Sequence, residues 1–201
     1  MYRLFTFDGF TIEKDGKRLD QPGVHRKALA VLIAIAVEGT ASREKLMALF
    51  WPDSDTDRAK GSLNQALHLL RHRFTTPDLI IGTTELRLNP ARITSDVAQF
   101  KSALALKDFS TAVQLYFGPF LNGVQSEDLS DFEHWVENHR LDLEKRYMGA
   151  LEKLALAAEA DNDFVLAADW WRKLQNTDPY NSRVAVQLMM ALGYSGDRAA
   201  A

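Results

Sequence analysis

The stretch DRAKGSLNQALHLLRHRF, residues 57–74, constrains the fold of this chain most. Ala59, Leu63, Ala66, Leu67, Leu70 and Phe74 recur at three- and four-residue spacing, so a helix gathers them into one apolar stripe. At about 100° per residue, Arg58, Gly61, Gln65, His68 and His72 fall on the opposite side. Lys60, Asn64 and Arg71 lie on one flank and Ser62 on the other. After Asp57 this outer face holds no acid and consists of donors and amides. Glutamine and asparagine match an adenine edge, arginine matches guanine or a phosphate, and glycine lets a backbone come close. Two readings fit: a helix that enters a DNA groove, and an ordinary solvated helix face. One polar face does not choose between them.

The flanking segments narrow the choice. Residues 25–38 predict a first helix, apolar on nearly every side from Ala28 to Val37, opened by Arg26 and Lys27 and ended by Gly39 as a C-cap. Ser42 is a good N-cap for a second helix whose inner face is Leu46, Leu49 and Phe50. Trp51-Pro52-Asp53 stops it, because the residue before a proline resists helical geometry. We expect Trp51 to plug the core beside Phe50. A polar turn at 54–56 follows, with Asp55 or Asp57 as cap of the third helix. Helix, short turn and donor-rich helix make the helix-turn-helix pattern. Leu79-Ile80-Ile81 and Leu86-Arg87-Leu88, joined by Gly82-Thr83-Thr84-Glu85, read as a hairpin with Arg87 outward. Ahead of the first helix, residues 3–19 alternate around Asp8-Gly9 and Asp15-Gly16 and predict a small antiparallel sheet of two or three strands, before Pro22-Gly23 breaks the chain. The sum is a winged helix with a leading sheet, ended by a short connection at 91–95.

The second half reads as helical throughout. Helices are expected over 95–106, with Phe100, Ala103, Leu104 and Leu106, and over 108–117. A loop Gly118-Pro-Phe-Leu-Asn-Gly123 follows, then one long helix or two over 128–160, with Phe132, Trp135, Val136, Tyr147, Leu151, Leu154 and Ala158 inward. Asp108 with Ala112, Asp163 with Ala167, and Asp197 with Ala201 each place an alanine four residues after an aspartate. The second and third aspartates stand 34 residues apart, the tetratricopeptide period. Asp178-Pro179 falls where such a repeat turns. The first spacing is longer and implies an insertion around 118–128. Small alanines let paired helices approach closely, so this half reads as an α-solenoid. The chain closes inside a repeat, which we read as the end of a piece of a longer protein.

Charge and composition bound the function. The net charge is −3 over 201 residues. Residues 1–94 hold 14 lysines and arginines against 11 carboxylates, a balance of +3, and residues 95–201 balance at −6. The mildly basic half carries the helix-turn-helix, and the acidic half suits a protein partner better than DNA. No cysteine is present, which excludes disulfides, thiol catalysis and cysteine metal sites. The first residues lack a signal-peptide layout, and the longest apolar run, 28–37, is far short of the ~20 residues of a membrane span. We therefore expect a cytoplasmic protein without membrane attachment. No phosphate-binding glycine loop, dinucleotide fingerprint or nucleophile elbow occurs. His134 and His139 lie five apart, about 140° around a helix, and share no face for zinc. Glu133 and Glu137 read as a solvated face. No enzyme activity, cofactor or metal is expected.

A resemblance sharpens this reading. The leading sheet, Leu49-Phe50-Trp51-Pro52-Asp53, and Leu63-Asn-Gln-Ala-Leu67 with Leu70-Arg71 resemble the OmpR-type winged helix of the SARP family of bacterial regulators, with Phe50 in place of a leucine. Tyr116-Phe-Gly-Pro-Phe-Leu-Asn-Gly123 and Phe132-Glu-His-Trp-Val-Glu-Asn-His-Arg140 resemble segments of its bacterial transcriptional activator domain, with His139 where an acid is usual. The expected architecture is mostly α with small β: a winged helix-turn-helix at 1–94 and a tetratricopeptide-like solenoid at 95–201. The resemblance implies promoter DNA with direct repeats, a homodimer or side-by-side pair, and activation through RNA polymerase. In the helix-turn-helix, Arg58, Gly61, Ser62, Asn64, Gln65 and His68 are the candidate base-reading residues. Arg26, Arg43, Lys60, Arg71, Thr83, Thr84 and Arg87 are the candidates for phosphate or wing contacts. The competing reading is a protein-interaction scaffold that uses both modules for partner binding.

Overall fold

A computed structural model describes residues 1–19, 26–124 and 130–196. Packing divides the chain into two compact units, Met1–Gln99 with Phe117–Arg140, and Phe100–Tyr116 with Leu141–Ala201.

The first unit begins with β1 (Tyr2–Phe5), β2 (Thr11–Lys14) and β3 (Lys17–Arg18). β1 and β2 pair antiparallel, Leu4 opposite Ile12, and both side chains are buried. Asp15 and Gly16 both take positive φ, 51° and 78°, as the tight turn between β2 and β3 requires. α1 (Arg26–Glu38) is buried continuously from Ala28 to Val37, and Gly39 ends it in the left-handed region at φ 75°. His25 and the Pro22-Gly23 break lie outside the described residues. β4 (Ala41–Ser42) leads into α2 (Arg43–Phe50), where the Ser42 side chain accepts from the Lys45 N–H as N-cap. α3 (Thr56–Arg73) follows, then β5 (Ile80–Ile81) and β6 (Glu85–Leu88), which pair antiparallel as the expected hairpin.

Two strands depart from expectation. Ala41–Ser42 pairs with β6, so the wing is a three-stranded sheet of order β4-β6-β5. The expected connection at 91–95 contains β7 (Ile93–Ser95), which runs parallel to β1 and extends the leading sheet to the order β3-β2-β1-β7. Ile93 and Ser95 point inward on alternate positions, but two- and three-residue strands carry too little periodicity to stand out.

Residue 96 shows why this edge is stable. Asp96 opens α4 (Asp96–Ala105), and its buried carboxylate accepts from the N–H groups of Thr6 (2.6 Å), Phe7 (2.9 Å) and Val97 (2.7 Å) and from the Thr6 hydroxyl (2.7 Å). Burial pushes this carboxyl above the usual aspartate range, against the four hydrogen bonds that favour its charged form. Later in the chain, Pro119 to Asn122 returns to the same strand end. Leu121 N–H donates to Thr6 C=O (2.8 Å), Asp8 N–H donates to Pro119 C=O (3.0 Å), and Phe120 is fully buried. Gly118 lets the two segments come close: a Cβ there would stand 3.0 Å from that of Asp8, whose side chain would have to shift. Phe132 then packs on Phe50 at 5.3 Å between ring centroids.

The second unit is helical. α5 (Phe109–Leu115) is capped by Asp108, whose side chain accepts from the Thr111 N–H, and α7 (Phe164–Thr177) by Asp163, which accepts from Leu166 in the same way. The residue before each aspartate, Lys107 at φ 60° and Asn162 at φ 59°, is left-handed. The aspartate N–H reaches back five residues, to Ala103 C=O and to Ala158 C=O, both at 2.9 Å. The expected repeat is thus a Schellman turn followed at once by an N-cap, with Ala112 and Ala167 fully buried four residues on. Gly196 is left-handed at the corresponding place after α8 (Ser182–Ser195), while Asp197 to Ala201 lie outside the described residues. The helix expected as one or two is one, α6 (Ser130–Ala160), and the Asp128 proposed to open it is not among the described residues. Trp171, Leu151, Ala155, Leu174 and Val184 centre the core of this unit. Leu106, expected within this helix, lies beyond its end and is exposed, because α4 ends at Ala105.

Candidate nucleic-acid interface

α3 builds the site. Asp55 is its N-cap and accepts from the Arg58 N–H at 2.9 Å. Asp57 in the first turn and Arg71, His72 and Arg73 in the last complement the helix dipole. Ala59, Leu63, Ala66, Leu67 and Leu70 are buried, with Phe74 beyond the end, so the apolar stripe is the inner face as the spacing predicts. Arg58, Lys60, Gly61, Asn64, Gln65 and His68 are exposed together, along with His72. Ser62 and Arg71 are not fully on this face, being half-buried. Ser62 turns toward a hollow lined by Lys27, Trp51, Gln65 and Leu69, and the Arg71 Nε is shielded from solvent without a hydrogen-bond partner.

Two of the candidate cations, Arg58 and Arg43, already have protein partners. Arg58 pairs with Asp55 at 3.1 Å, both well exposed. Arg43, at the first position of α2, donates from Nε to Thr83 C=O (2.7 Å) and from Nη1 to the Asn64 Oδ1 (2.9 Å). Its backbone N–H donates to Thr84 C=O at 3.1 Å. One residue therefore joins the start of α2, the tip of the wing and the outer face of α3. Thr83, Thr84 and Arg87 are exposed on the wing, while Leu86 between them and the core is buried. Gly82 makes the turn possible: its φ is 102°, and a Cβ would lie 1.8 Å from the Glu85 carbonyl oxygen. Arg26 is exposed at the first turn of α1.

Three supporting residues were not among the candidates. Lys27 donates from Nζ to Phe50 C=O (3.0 Å), at the end of α2, and stands 5.5 Å from the centre of the Trp51 ring. Trp51 is half-buried, 6.0 Å from the Phe50 ring, so it lids the core at its edge rather than filling it. Glu38, the last residue of α1, bonds Lys45 (2.8 Å) and the Trp135 indole N–H (3.1 Å), with His139 at 3.4 Å. Burial alone would raise its pKa. The hydrogen bonds of Lys45 and Trp135 and the charges of Lys45 and His139 outweigh this and hold it below the usual glutamate range. His139 thus faces a carboxylate supplied by α1. The only sign of this in the sequence was a lone acid closing an otherwise apolar helix.

Among the described residues, no group of three or more histidines and carboxylates is arranged to hold a metal, and no helix is long and apolar enough to cross a membrane.

Comparison with known proteins agrees with this geometry. Residues 87–201 match the bacterial transcriptional activator domain, a match that starts within β6 of the wing. The solved structure of EmbR from Mycobacterium tuberculosis, in complex with a low affinity phosphopeptide, superposes with a TM-score of 0.69 at 22% identity. That match covers 98% of this chain and 55% of EmbR, so the chain spans about half the length of this structural relative and shares its fold. No curated protein matches the chain.

Proposed function

The chain belongs to the bacterial transcriptional activator domain family, in a SARP-type regulator with a winged helix-turn-helix and a helical solenoid, and from that premise we propose that it binds promoter DNA sequence-specifically through α3. Members of this family regulate transcription and are not enzymes. The observation that carries the DNA reading is the outer face of α3. Arg58, Gly61, Asn64, Gln65 and His68 are exposed on one side of a helix with no acid after Asp57, beside a wing that carries Thr83, Thr84 and Arg87. In this reading Arg58, Gln65 and His68 reach base edges, with Gly61 and Asn64 beside them and Ser62 at the margin. Lys60, Arg26, Arg71, Arg43 and the wing hold phosphates or the minor groove.

We assign the DNA-binding module to residues 1–94 and the activator domain to 95–201, with Phe117–Arg140 of the latter packing in the same compact unit as the winged helix. One such helix gives modest affinity. A pair of protomers side by side on direct repeats supplies the rest, and the acidic second half supplies the contact with RNA polymerase, in the cytoplasm.

The test is the salt dependence of binding. The full chain is titrated into a pool of randomised duplexes at rising salt. A DNA reader loses affinity linearly with log[salt], by about 0.9 per phosphate contact in log–log slope, because bound counterions are released. A scaffold that uses these faces for protein contact gives no such slope and enriches no sequence.

A further inference from the structure

One residue ties the tip of the wing to the rest of the winged helix. The paired positions of the wing sheet end at Ile81 opposite Arg87 and at Glu85 opposite Ser42, so residues 82–84 lie beyond the ladder. Arg43 takes up two carbonyls of that turn. Its Nε donates to Thr83 C=O (2.7 Å) and its backbone N–H donates to Thr84 C=O (3.1 Å). From the same guanidinium, Nη1 donates to the Asn64 Oδ1 (2.9 Å), halfway along α3. Residue 43 is itself anchored: it opens α2, directly after the N-cap Ser42.

A planar fork therefore sets the separation between the wing tip and the outer face of α3. Thr83, Thr84 and Arg87 are exposed, so whatever they meet lies outside the protein. A contact made by a turn that must first be ordered loses affinity to that ordering, and a turn already held in place does not. The bond to Asn64 leaves that amide its NH2 group and one lone pair of its oxygen. The clamp and a base contact by Asn64 are thus compatible.

We infer that Arg43 is a positioning residue for DNA binding, which fixes the wing tip against α3 so that Thr83, Thr84 and Arg87 meet the DNA at a set distance from the reading helix. This inference rests on the DNA-binding role proposed for α3 and the wing. It gives Arg43 a task that depends on shape more than on charge. A phosphate contact by Arg43 itself needs a positive charge at that place, and lysine supplies one. The clamp needs two donors in a fixed plane, and the point charge of lysine does not supply them.

The experiment measures the affinity of the full chain for a duplex enriched from a random pool, as wild type, Arg43→Lys, Arg43→Ala, Arg87→Ala and the two double variants. Arg43→Lys and Arg43→Ala are expected to lose affinity alike, by roughly 2- to 13-fold, the factor that one net hydrogen bond supplies. Both changes are expected to cost less in the Arg87→Ala background, because they act through the wing that carries Arg87. Amide hydrogen exchange without DNA reads the clamp directly. The amides of residues 43 and 83–85 are expected to exchange faster in both Arg43 variants, with those of α1 unchanged. Wild-type binding by Arg43→Lys beside weakened binding by Arg43→Ala would make Arg43 a phosphate contact and overturn the inference. Full additivity with Arg87→Ala, unchanged exchange in the wing, or faster exchange that spreads to α1 overturns it as well. Each of these results leaves the DNA reading standing. A wild type that enriches no sequence removes the DNA reading and the inference with it.

Discussion

Gly61 separates stability from recognition at a single residue. It sits inside α3, where glycine costs a helix about 0.5–1 kcal/mol relative to alanine. A Cβ there meets nothing within 4 Å, so no protein contact requires the glycine. Gly61→Ala is expected to raise stability by about 0.5–1 kcal/mol in urea unfolding and to weaken binding to an enriched duplex, because in the proposed reading the new methyl group stands where a DNA backbone or base edge comes close. Binding unchanged in the stabilised variant would take Gly61 off the interface. Glu38 is the second residue with a measurable signature. Its folded-state pKa is lowered from the ordinary value of 4.5, so its contribution is present above that pH and lost as pH falls through the folded value. Glu38→Gln is expected to cost about 1–3 kcal/mol at pH 7, as for hydrogen bonds to a charged group. In denaturant titrations at pH 7, 5 and 4, the gap to wild type should narrow below about pH 4.5. A gap of constant size across that series would assign the loss to packing instead of charge. At this scale residue type was readable and partnership was not. Arg43 and Asn64 are visible as polar residues of two neighbouring helices. Only their placement puts the guanidinium on the amide and on the wing carbonyl.

Elements with a strong period were readable, and elements of two or three residues were not. The buried α1 follows from its apolar run and the stripe of α3 from spacing, and the cap at Ser42 and the choice of Asp55 or Asp57 follow from side-chain chemistry, while Asp108 and Asp163 show in the sequence only as a repeat and prove to be caps. β4 and β7 are too short to show alternation, and β7 finds its partner about ninety residues away in β1. The segment Gly118 to Gly123 was readable as a motif but not as a structural part. It bridges Phe7 and Gly9 through Phe120 and so belongs to the compact unit that holds the winged helix. Phe120→Ala in the full chain is expected to cost about 3–5 kcal/mol. By hydrogen exchange, the loss should appear in the amides of β1 and β2, with α7 still protected around Trp171. Faster exchange in α7 with β1 unchanged would place Phe120 in the wrong core.

At the scale of the whole molecule, the net charge of −3 hides two halves of opposite sign, +3 over 1–94 and −6 over 95–201. The basic balance is small, so under the proposed function non-specific attraction to DNA is weak and base reading carries the discrimination. The second half repeats one device, a left-handed residue, an aspartate cap and a buried alanine, and stacks helices on it. That regularity made the solenoid readable from three aspartates, while the insertion that feeds Phe117–Arg140 back to the winged helix showed only as an irregular spacing. The central claim is that α3 of this chain reads base edges. Its most direct test measures the affinity of the full chain, as wild type and as Gln65→Ala, for a duplex enriched from a random pool and for the same duplex scrambled. Loss of the exposed amide is expected to cost about 1–3 kcal/mol on the enriched duplex and little on the scrambled one. Equal losses on both duplexes, or none on either, would contradict base reading by this helix.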